Sequence, residues 1–441
     1  MNASWVKYLP RFISARIDGR FGFQAIISNS GWLLADKVLR MGVGFFVGVW
    51  LARYLGPEQY GLWNFAIVFA ALFSVFAELG LDGIVIRELV KKPESRNVIL
   101  GSAFVLKQIG GFLALTLVLL AILFTHGDEK LTLWLVGISA AGYLFQSIKV
   151  IDYYFQSKVQ SKYTVVSANA AFILMSLVKI YLLIISAPLI AFAWAGLCEV
   201  VLTALFFLIA YWANHLRMRE WQYDRHEMVR LLKESWPLML AGLAVTLYMR
   251  IDVVMLQEIV GDREVGIYAA ATRISEIWYF LPGIIVASVS PAIIKAHSAD
   301  SGKYISKLKQ LYFVMTWMAI GIALPLSFLS GAMVSLLFGN DFAEAAPVLA
   351  IHLWASVAVF LGVASSQYLL VENLQKISFY RTLIGLVVNV ILNLMLIPDM
   401  GAKGAAIATV ISYFVATFSI VFFKSTRAHT SFLLSAPFTR K

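Results

Sequence analysis

Residues Leu189–Ala213 read LIAFAWAGLCEVVLTALFFLIAYWA, an apolar run whose only charge is Glu199. A helix of that length rises about 38 Å, enough to cross the hydrocarbon core of a bilayer, about 30 Å thick. On either side the chain repeats the pattern. Apolar runs fall at 28–54, 62–82, 98–124, 131–157 and 163–186 before it, and at 234–260, 266–294, 308–330, 342–370, 377–397 and 403–424 after it. The 441 residues are 60% hydrophobic and only 14% charged, with a mean hydropathy of +0.80. A soluble chain is nearer half apolar and a quarter charged, so lipid is the expected solvent. Twelve spans of about 22 residues occupy roughly 60% of such a chain. The fold class read from this is an all-α polytopic membrane protein with no soluble domain between spans.

The net charge of +11 is not a nucleic-acid signal, because its placement is that of a membrane protein. Of the 36 Lys and Arg residues, 25 fall on alternate connections: the N-terminal segment, 83–97, 158–162, 214–233, 295–309, Lys376 with Arg381, and the tail. The opposite connections hold Arg53, Lys130, Arg263 and Lys403. Basic residues stay on the cytoplasmic side, so both termini are expected inside. Cys198 is the single cysteine, which excludes an intramolecular disulfide and any cysteine-rich metal site. Residues 1–22 carry Lys7, Arg11, Arg16 and Arg20 among apolar positions without a signal-peptide core, and read as a cytoplasmic basic segment.

The two halves echo each other. Gly56-Pro57-Glu58-Gln59-Tyr60-Gly61 follows the first span and Gly261-Asp262-Arg263-Glu264-Val265-Gly266 follows the seventh, at an offset of 205. The expected organisation is an N-lobe at 23–213, a cytoplasmic linker at 214–233, a C-lobe at 234–424 and a cytoplasmic tail at 425–441. Six helices per lobe is an even number, so the lobes share one orientation about a pseudo-twofold axis along the membrane normal.

Ala52-Arg53-Tyr54-Leu55-Gly56-Pro57-Glu58-Gln59-Tyr60-Gly61 resembles the first outer turn of the polysaccharide transporter family, the O-antigen flippases of the multidrug/oligosaccharidyl-lipid/polysaccharide exporter superfamily. Ser235-Trp236-Pro237, Tyr248-Met249-Arg250-Ile251-Asp252, Val265 to Ala271 and Glu276 to Pro282 extend the resemblance. It covers essentially the whole chain in span number and order. It implies a bacterial inner-membrane protein that moves undecaprenyl-diphosphate-linked oligosaccharide to the periplasmic face by alternating access. It also implies membrane lipids, a polysaccharide polymerase and a chain-length regulator as partners, no nucleic acid, and no cofactor beyond a coupling cation, H⁺ or Na⁺.

A charge at the centre of a span costs roughly 2.5–3.5 kcal/mol on insertion scales, so intramembrane charges face the bundle, water or one another. The basic set is Lys37, Arg40, Lys107, Lys149, Lys179, Arg250 and Arg273; the acidic set is Asp36, Glu78, Asp152, Glu199, Asp252 and Glu276. Asp36 with Arg40, Lys149 with Asp152 and Arg273 with Glu276 stand three or four apart and can pair along one helix face. Lys37, Lys107, Lys179 and Arg250 lack such a partner, which leaves two readings: they line a substrate path or they pair between helices. The seven basic residues are the candidate diphosphate ligands, since Lys offers a point charge and Arg a bidentate fork. Asp36, Glu199, Asp252 and Glu276 are candidates for ion coupling or structural pairing.

No Walker A sequence, HExxH or carboxylate–histidine cluster is present, and the Ser176–Lys179 SxxK match lies within a span. Nothing suggests an enzyme. His352 reads as a packed residue, and Pro282, Pro291 and Pro325 as kinks. The rival readings are a multidrug cation antiporter with an acidic cavity and a lipid II flippase, a family that usually has fourteen spans. A membrane-embedded glycosyltransferase or O-antigen ligase would need a large outer loop, which this chain lacks.

Overall fold

A computed structural model describes residues 21–435. These are helical apart from short turns and connections, with no strand among them. The expected basic segment at 1–22 lies almost wholly outside the described residues, as does the end of the tail.

Sixteen α-helices follow in order: α1 (Phe21–Leu72), α2 (Ser74–Glu78), α3 (Asp82–Lys91), α4 (Arg96–His126), α5 (Lys130–Ala141), α6 (Val150–Ser157), α7 (Lys162–Ile184), α8 (Leu189–Ala213), α9 (Arg225–Val260), α10 (Asp262–Ser275), α11 (Leu281–Ala299), α12 (Ser301–Phe338), α13 (Ala345–His352), α14 (Ala355–Val371), α15 (Gln375–Phe418) and α16 (Arg427–Ser435). Short 3₁₀ segments, notably Gly142–Lys149 and Glu276–Phe280, join some of these. Ten helical stretches are long and apolar enough to cross a membrane, and two of them break internally, α1 at Gly56 and α15 at Gly401. Twelve spans result, as the hydropathy pattern predicts. Lipid offers the backbone no hydrogen-bond partner, so an apolar run of this length closes its own hydrogen bonds as helix.

The chain divides into two compact units. The first gathers Phe69–Gly242 with α1 up to Gly48; the second gathers Val49–Val68 with the chain from Leu243 onward. Residues 214–233 group with the first unit. Gln222, for instance, donates its backbone N–H to the Asn97 carbonyl. Gly56 (φ 71°, ψ 172°) and Gly261 (φ 91°, ψ −177°) adopt the same left-handed conformation at equivalent places, so the sequence echo is also a conformational one.

In the first unit the core comprises Leu81, Val85, Leu89, Leu100, Val150, Tyr153 and Leu231, with Ile151, Phe155, Phe207 and Tyr211 beside it. In the second it centres on Tyr312, Met315, Ala319, Phe360, Ala364 and Ile420. Large apolar side chains also point outward, such as Phe124 at 92% and Phe328 at 83% exposed, the pattern of a lipid-facing surface.

Candidate functional site

In the first unit the chain reverses at Leu79 and Gly80, both at positive φ, which ends α2 and puts Asp82 in the first turn of α3. Three elements aim at that carboxylate. Lys107 of α4 lies 3.6 Å from Asp82 Oδ1, and Lys149, closing the 3₁₀ segment, lies 3.4 Å from Oδ2. Tyr153 of α6 donates its hydroxyl to Asp82 and accepts from Lys107 Nζ at 3.0 Å. Lys107 is fully buried, whereas Asp82 and Lys149 are 44% and 40% exposed, so the cluster has one closed and one open side. Glu78 acts on both ammonium groups at longer range. A diphosphate carries more charge than the single carboxylate that now holds these two cations, and can compete for the open one.

The expected Lys149–Asp152 pair is not what forms. Lys149 turns to Asp82, and Asp152 accepts from Thr164 and Gln156 at 2.6 and 2.8 Å. Asp36 and Arg40 do pair, at 2.9 Å, with the guanidinium over Phe172. Lys37 beside them is exposed and enters no ion pair among the described residues. Lys179 and Glu199 close a 2.7 Å bridge between α7 and α8, the interhelical alternative for Lys179.

On the loop side of this unit, Glu88 of α3 is buried and meets Arg230 at 2.8 Å and Arg87 at 3.1 Å. Burial pushes its carboxyl up, but the hydrogen bonds from Arg230 and Arg87 outweigh that and hold it below the ordinary range.

The second unit contains a buried carboxylate of another kind. Asp252 on α9 is 2% exposed. It accepts from Tyr268 at 2.8 Å and Asn393 at 2.8 Å, and the Thr409 hydroxyl sits 2.6 Å away. Asn389, one turn before Asn393, extends the network to Ser412. No Lys or Arg nitrogen lies within 4 Å of Asp252 among the described residues, and Asn393 Oδ1 is buried without a partner. A carboxylate held by neutral hydrogen-bond donors, two hydroxyls and one amide, with no cation beside it can take up a proton or a small hard monovalent cation. Among the described residues there is no cluster of three His, Cys, Asp or Glu side chains for a transition-metal site.

Arg250, two residues from Asp252, points elsewhere, as helical geometry requires. It is not without a counter-ion, because Glu276 of the following 3₁₀ segment lies 3.4 Å away. Glu276 is thus the partner of Arg250 rather than of Arg273, and Arg273 donates to Tyr60 at 3.1 Å. Near it the two echoing turns pack backbone to backbone. A Cβ on Gly61 would fall 1.8 Å from the Asp262 carbonyl, and one on Gly266 would fall 1.9 Å from that of Pro57. His352 is packed as expected, its Nδ1 2.7 Å from the Ser275 hydroxyl. Arg381, counted above with the inner-side loops, instead lies within α15 and is 8% exposed.

The sequence reading missed Asp82, Asn389, Asn393 and Thr409. Asp82 stood at the edge of a predicted span, although Gly80 marks a break there. Asn389 and Asn393, four apart in an otherwise apolar run, carry a signal that was available.

Comparison with known proteins places these observations. The polysaccharide biosynthesis protein family model matches residues 26–297, more than half of the chain, and the MatE model matches residues 237–395. The capsular polysaccharide biosynthesis protein CapF of Staphylococcus aureus is 21% identical over 412 residues, covering 90% of this chain and 99% of that protein. Among solved structures, the lipid II flippase MurJ in an inward closed conformation aligns with TM-score 0.70 at 16% identity, over 93% of this chain and 90% of that one. An inward-facing multidrug resistance MATE family transporter of the MOP superfamily aligns with TM-score 0.72 at 18% identity, over 90% and 95%. The structural matches establish a shared fold, the extent of the sequence match establishes kinship, and the chain belongs to the polysaccharide biosynthesis protein family.

Proposed function

We propose that this protein is a flippase for a lipid-linked oligosaccharide, carrying an undecaprenyl-diphosphate-linked repeat unit such as O-antigen from the cytoplasmic to the periplasmic face of a bacterial inner membrane. The observation that carries the reading is the polysaccharide biosynthesis family match over residues 26–297. In this reading two six-helix lobes, 23–213 and 234–424, alternate access with both termini inside. The open side of the Asp82–Lys107–Lys149 cluster receives the diphosphate: Lys149 exchanges its carboxylate for phosphate oxygens while buried Lys107 keeps the local potential positive. Lys37, exposed on α1, is a further contact.

No nucleotide is needed. A headgroup of about −2 moving outward across an inside-negative potential of about 100 mV gains roughly 4–5 kcal/mol. Asp252 supplies a second source: it binds H⁺ or Na⁺ in one state of the cycle and releases it in another. The MatE match over 237–395 favours one rival, a multidrug cation antiporter.

The test is complementation of a strain lacking its polysaccharide flippase. The parent chain should restore surface glycan, Lys149→Gln and Asp252→Asn should be made at normal abundance with strongly reduced glycan, and drug susceptibility should not change. Drug resistance without restored glycan would refute the reading in favour of the antiporter.

A further inference from the structure

In the second unit α9, the 276–280 segment, α14 and α15 enclose a cavity of about 380 Å³, within the range of small-molecule sites. Its lining includes Tyr248, Tyr279, Tyr413, Ser366, Thr382 and Arg381. Arg381 enters from α15 two turns after the helix begins. One arm of its guanidinium is spoken for: Nη2 donates to the Gly362 carbonyl at 3.0 Å and to the Ser366 hydroxyl at 2.6 Å. The other arm is not. Nη1 is buried with no hydrogen-bond partner, and no carboxylate lies within 4 Å of this guanidinium among the described residues. The Tyr279 hydroxyl, also on the cavity wall, is buried and unpartnered as well.

This arrangement is costly for the fold alone. Arg cannot shed its proton, so a guanidinium that is more than nine-tenths buried normally meets an acid. Every other intramembrane base held inside the second unit has found a polar partner: Arg250 has Glu276 and Arg273 has Tyr60. Here two donors are left without an acceptor on residues of one cavity, whose remaining lining mixes tyrosine rings and hydroxyls with aliphatic side chains such as Val245, Met249 and Val359. Two unsatisfied donors on residues that line one cavity are the makings of an anion site, and tyrosine rings in the same lining suit the flat apolar face of a sugar or a polyol.

We propose that this cavity binds a phosphate ester that bears hydroxyl groups, with Arg381 Nη1 and the Tyr279 hydroxyl on the phosphate oxygens and the tyrosine rings against the polyol. A sugar phosphate and a phosphatidylglycerol headgroup share that chemistry. The site is separate from the Asp82 cluster and does not depend on the direction or the driving force of transport.

The experiment uses the full-length protein in phosphatidylcholine nanodiscs, titrated calorimetrically with glucose 1-phosphate and, separately, with glucose. Glucose 1-phosphate should bind saturably and glucose should not. Arg381→Gln should weaken binding about tenfold or more, the loss expected for a charge-assisted hydrogen bond. Its thermal midpoint should hold or rise, because the change removes a buried charge that has no counter-ion. Val363→Trp, which fills the cavity and leaves the Arg381 hydrogen bonds in place, should abolish binding. Repeating the titration in nanodiscs containing phosphatidylglycerol identifies the source: competition assigns the site to the lipid headgroup, and its absence assigns it to the sugar phosphate. The proposal is overturned if glucose 1-phosphate fails to bind and phosphatidylglycerol does not stabilise the protein, or if binding survives both Arg381→Gln and Val363→Trp. A lowered midpoint in Arg381→Gln with binding intact in Val363→Trp would also overturn it, because Arg381 would then be only a strut between α14 and α15.

Discussion

Replacing Asp82 with Asn isolates the electrostatics of the cluster in the first unit. Asn retains an acceptor for the Tyr153 hydroxyl, so the change removes charge and little else. The Lys107 and Lys149 nitrogens lie 3.6 and 3.4 Å from the Asp82 oxygens. At an effective dielectric constant near 20 each pair is worth about 4–5 kcal/mol before desolvation. Asp82 is 44% exposed, so water screens much of that attraction, and the net loss should be about 2–3 kcal/mol. Most of it comes from Lys107, which is wholly buried and would keep its hydrogen bond to Tyr153 but lose its nearest counter-ion. Asp82→Asn should therefore lower the thermal midpoint of detergent-extracted protein by several degrees, read by fluorescence-detected size exclusion. Asp82→Asn with Lys107→Met removes the stranded charge, keeps the aliphatic bulk and should recover at least half of the loss. Lys149→Gln, at a side chain 40% exposed, should cost under about 1 kcal/mol. If the double variant is no more stable than Asp82→Asn alone, Asp82 is not what sustains Lys107 and the reasoning fails.

Three further outcomes follow from the geometry. Gly61→Ala and Gly266→Ala each drive a methyl group into a backbone carbonyl and should lower membrane abundance, at a cost of about 2–3 kcal/mol, whereas Gly83→Ala, which meets nothing within 4 Å, should be neutral. Quantitative immunoblotting of membranes separates the two cases, and equal abundance would contradict the close approach. Because Glu88 is held below its ordinary range, its stabilisation is present above about pH 4.5 and is lost as pH falls through the depressed value. Glu88→Gln should thus be less stable at neutral pH, with a flatter acid limb in a midpoint-versus-pH series. His429 of α16 stacks 3.5 Å from Tyr368 and lies 2.6 Å from the Tyr312 hydroxyl, and burial pushes it down to about 3. The unfolded imidazole takes up its proton near pH 6.5, so docking of α16 should weaken progressively below that pH. Hydrogen exchange of residues 427–435 at pH 7.5 and pH 5 should show faster exchange at the lower pH in the parent and a smaller difference in His429→Phe, after correction for the intrinsic pH dependence of exchange; an unchanged difference would speak against it.

The number of spans was legible because it rests on a local quantity. A run of some twenty apolar residues must become a helix in lipid whatever surrounds it, and the Gly56 and Gly261 turns interrupt the pattern at the residues themselves. Pairs one turn apart were also within reach of the sequence, and Asp36 with Arg40 formed as spacing required. Spacing cannot rank a local partner against one from another helix. Spacing alone therefore points Lys149 to Asp152 and Arg273 to Glu276, whereas Asp82 and Tyr60 approach them from elsewhere. Asp82 depends on a left-handed reversal at Leu79–Gly80, and the Asp252 cage on three helices meeting at one depth. Arg381 is the sharpest case. In sequence it stands six residues into a helix beside Lys376, indistinguishable from a base that reaches the membrane surface. Only the packing of α14 against α15, which seats its guanidinium on the Gly362 carbonyl and closes tyrosines around it, decides that it is buried and that no acid comes with it. The sequence determined which segments cross the membrane, because transfer into lipid is decided residue by residue. The tertiary structure alone decided which buried charges are compensated, because compensation is a property of distance between helices that the chain separates.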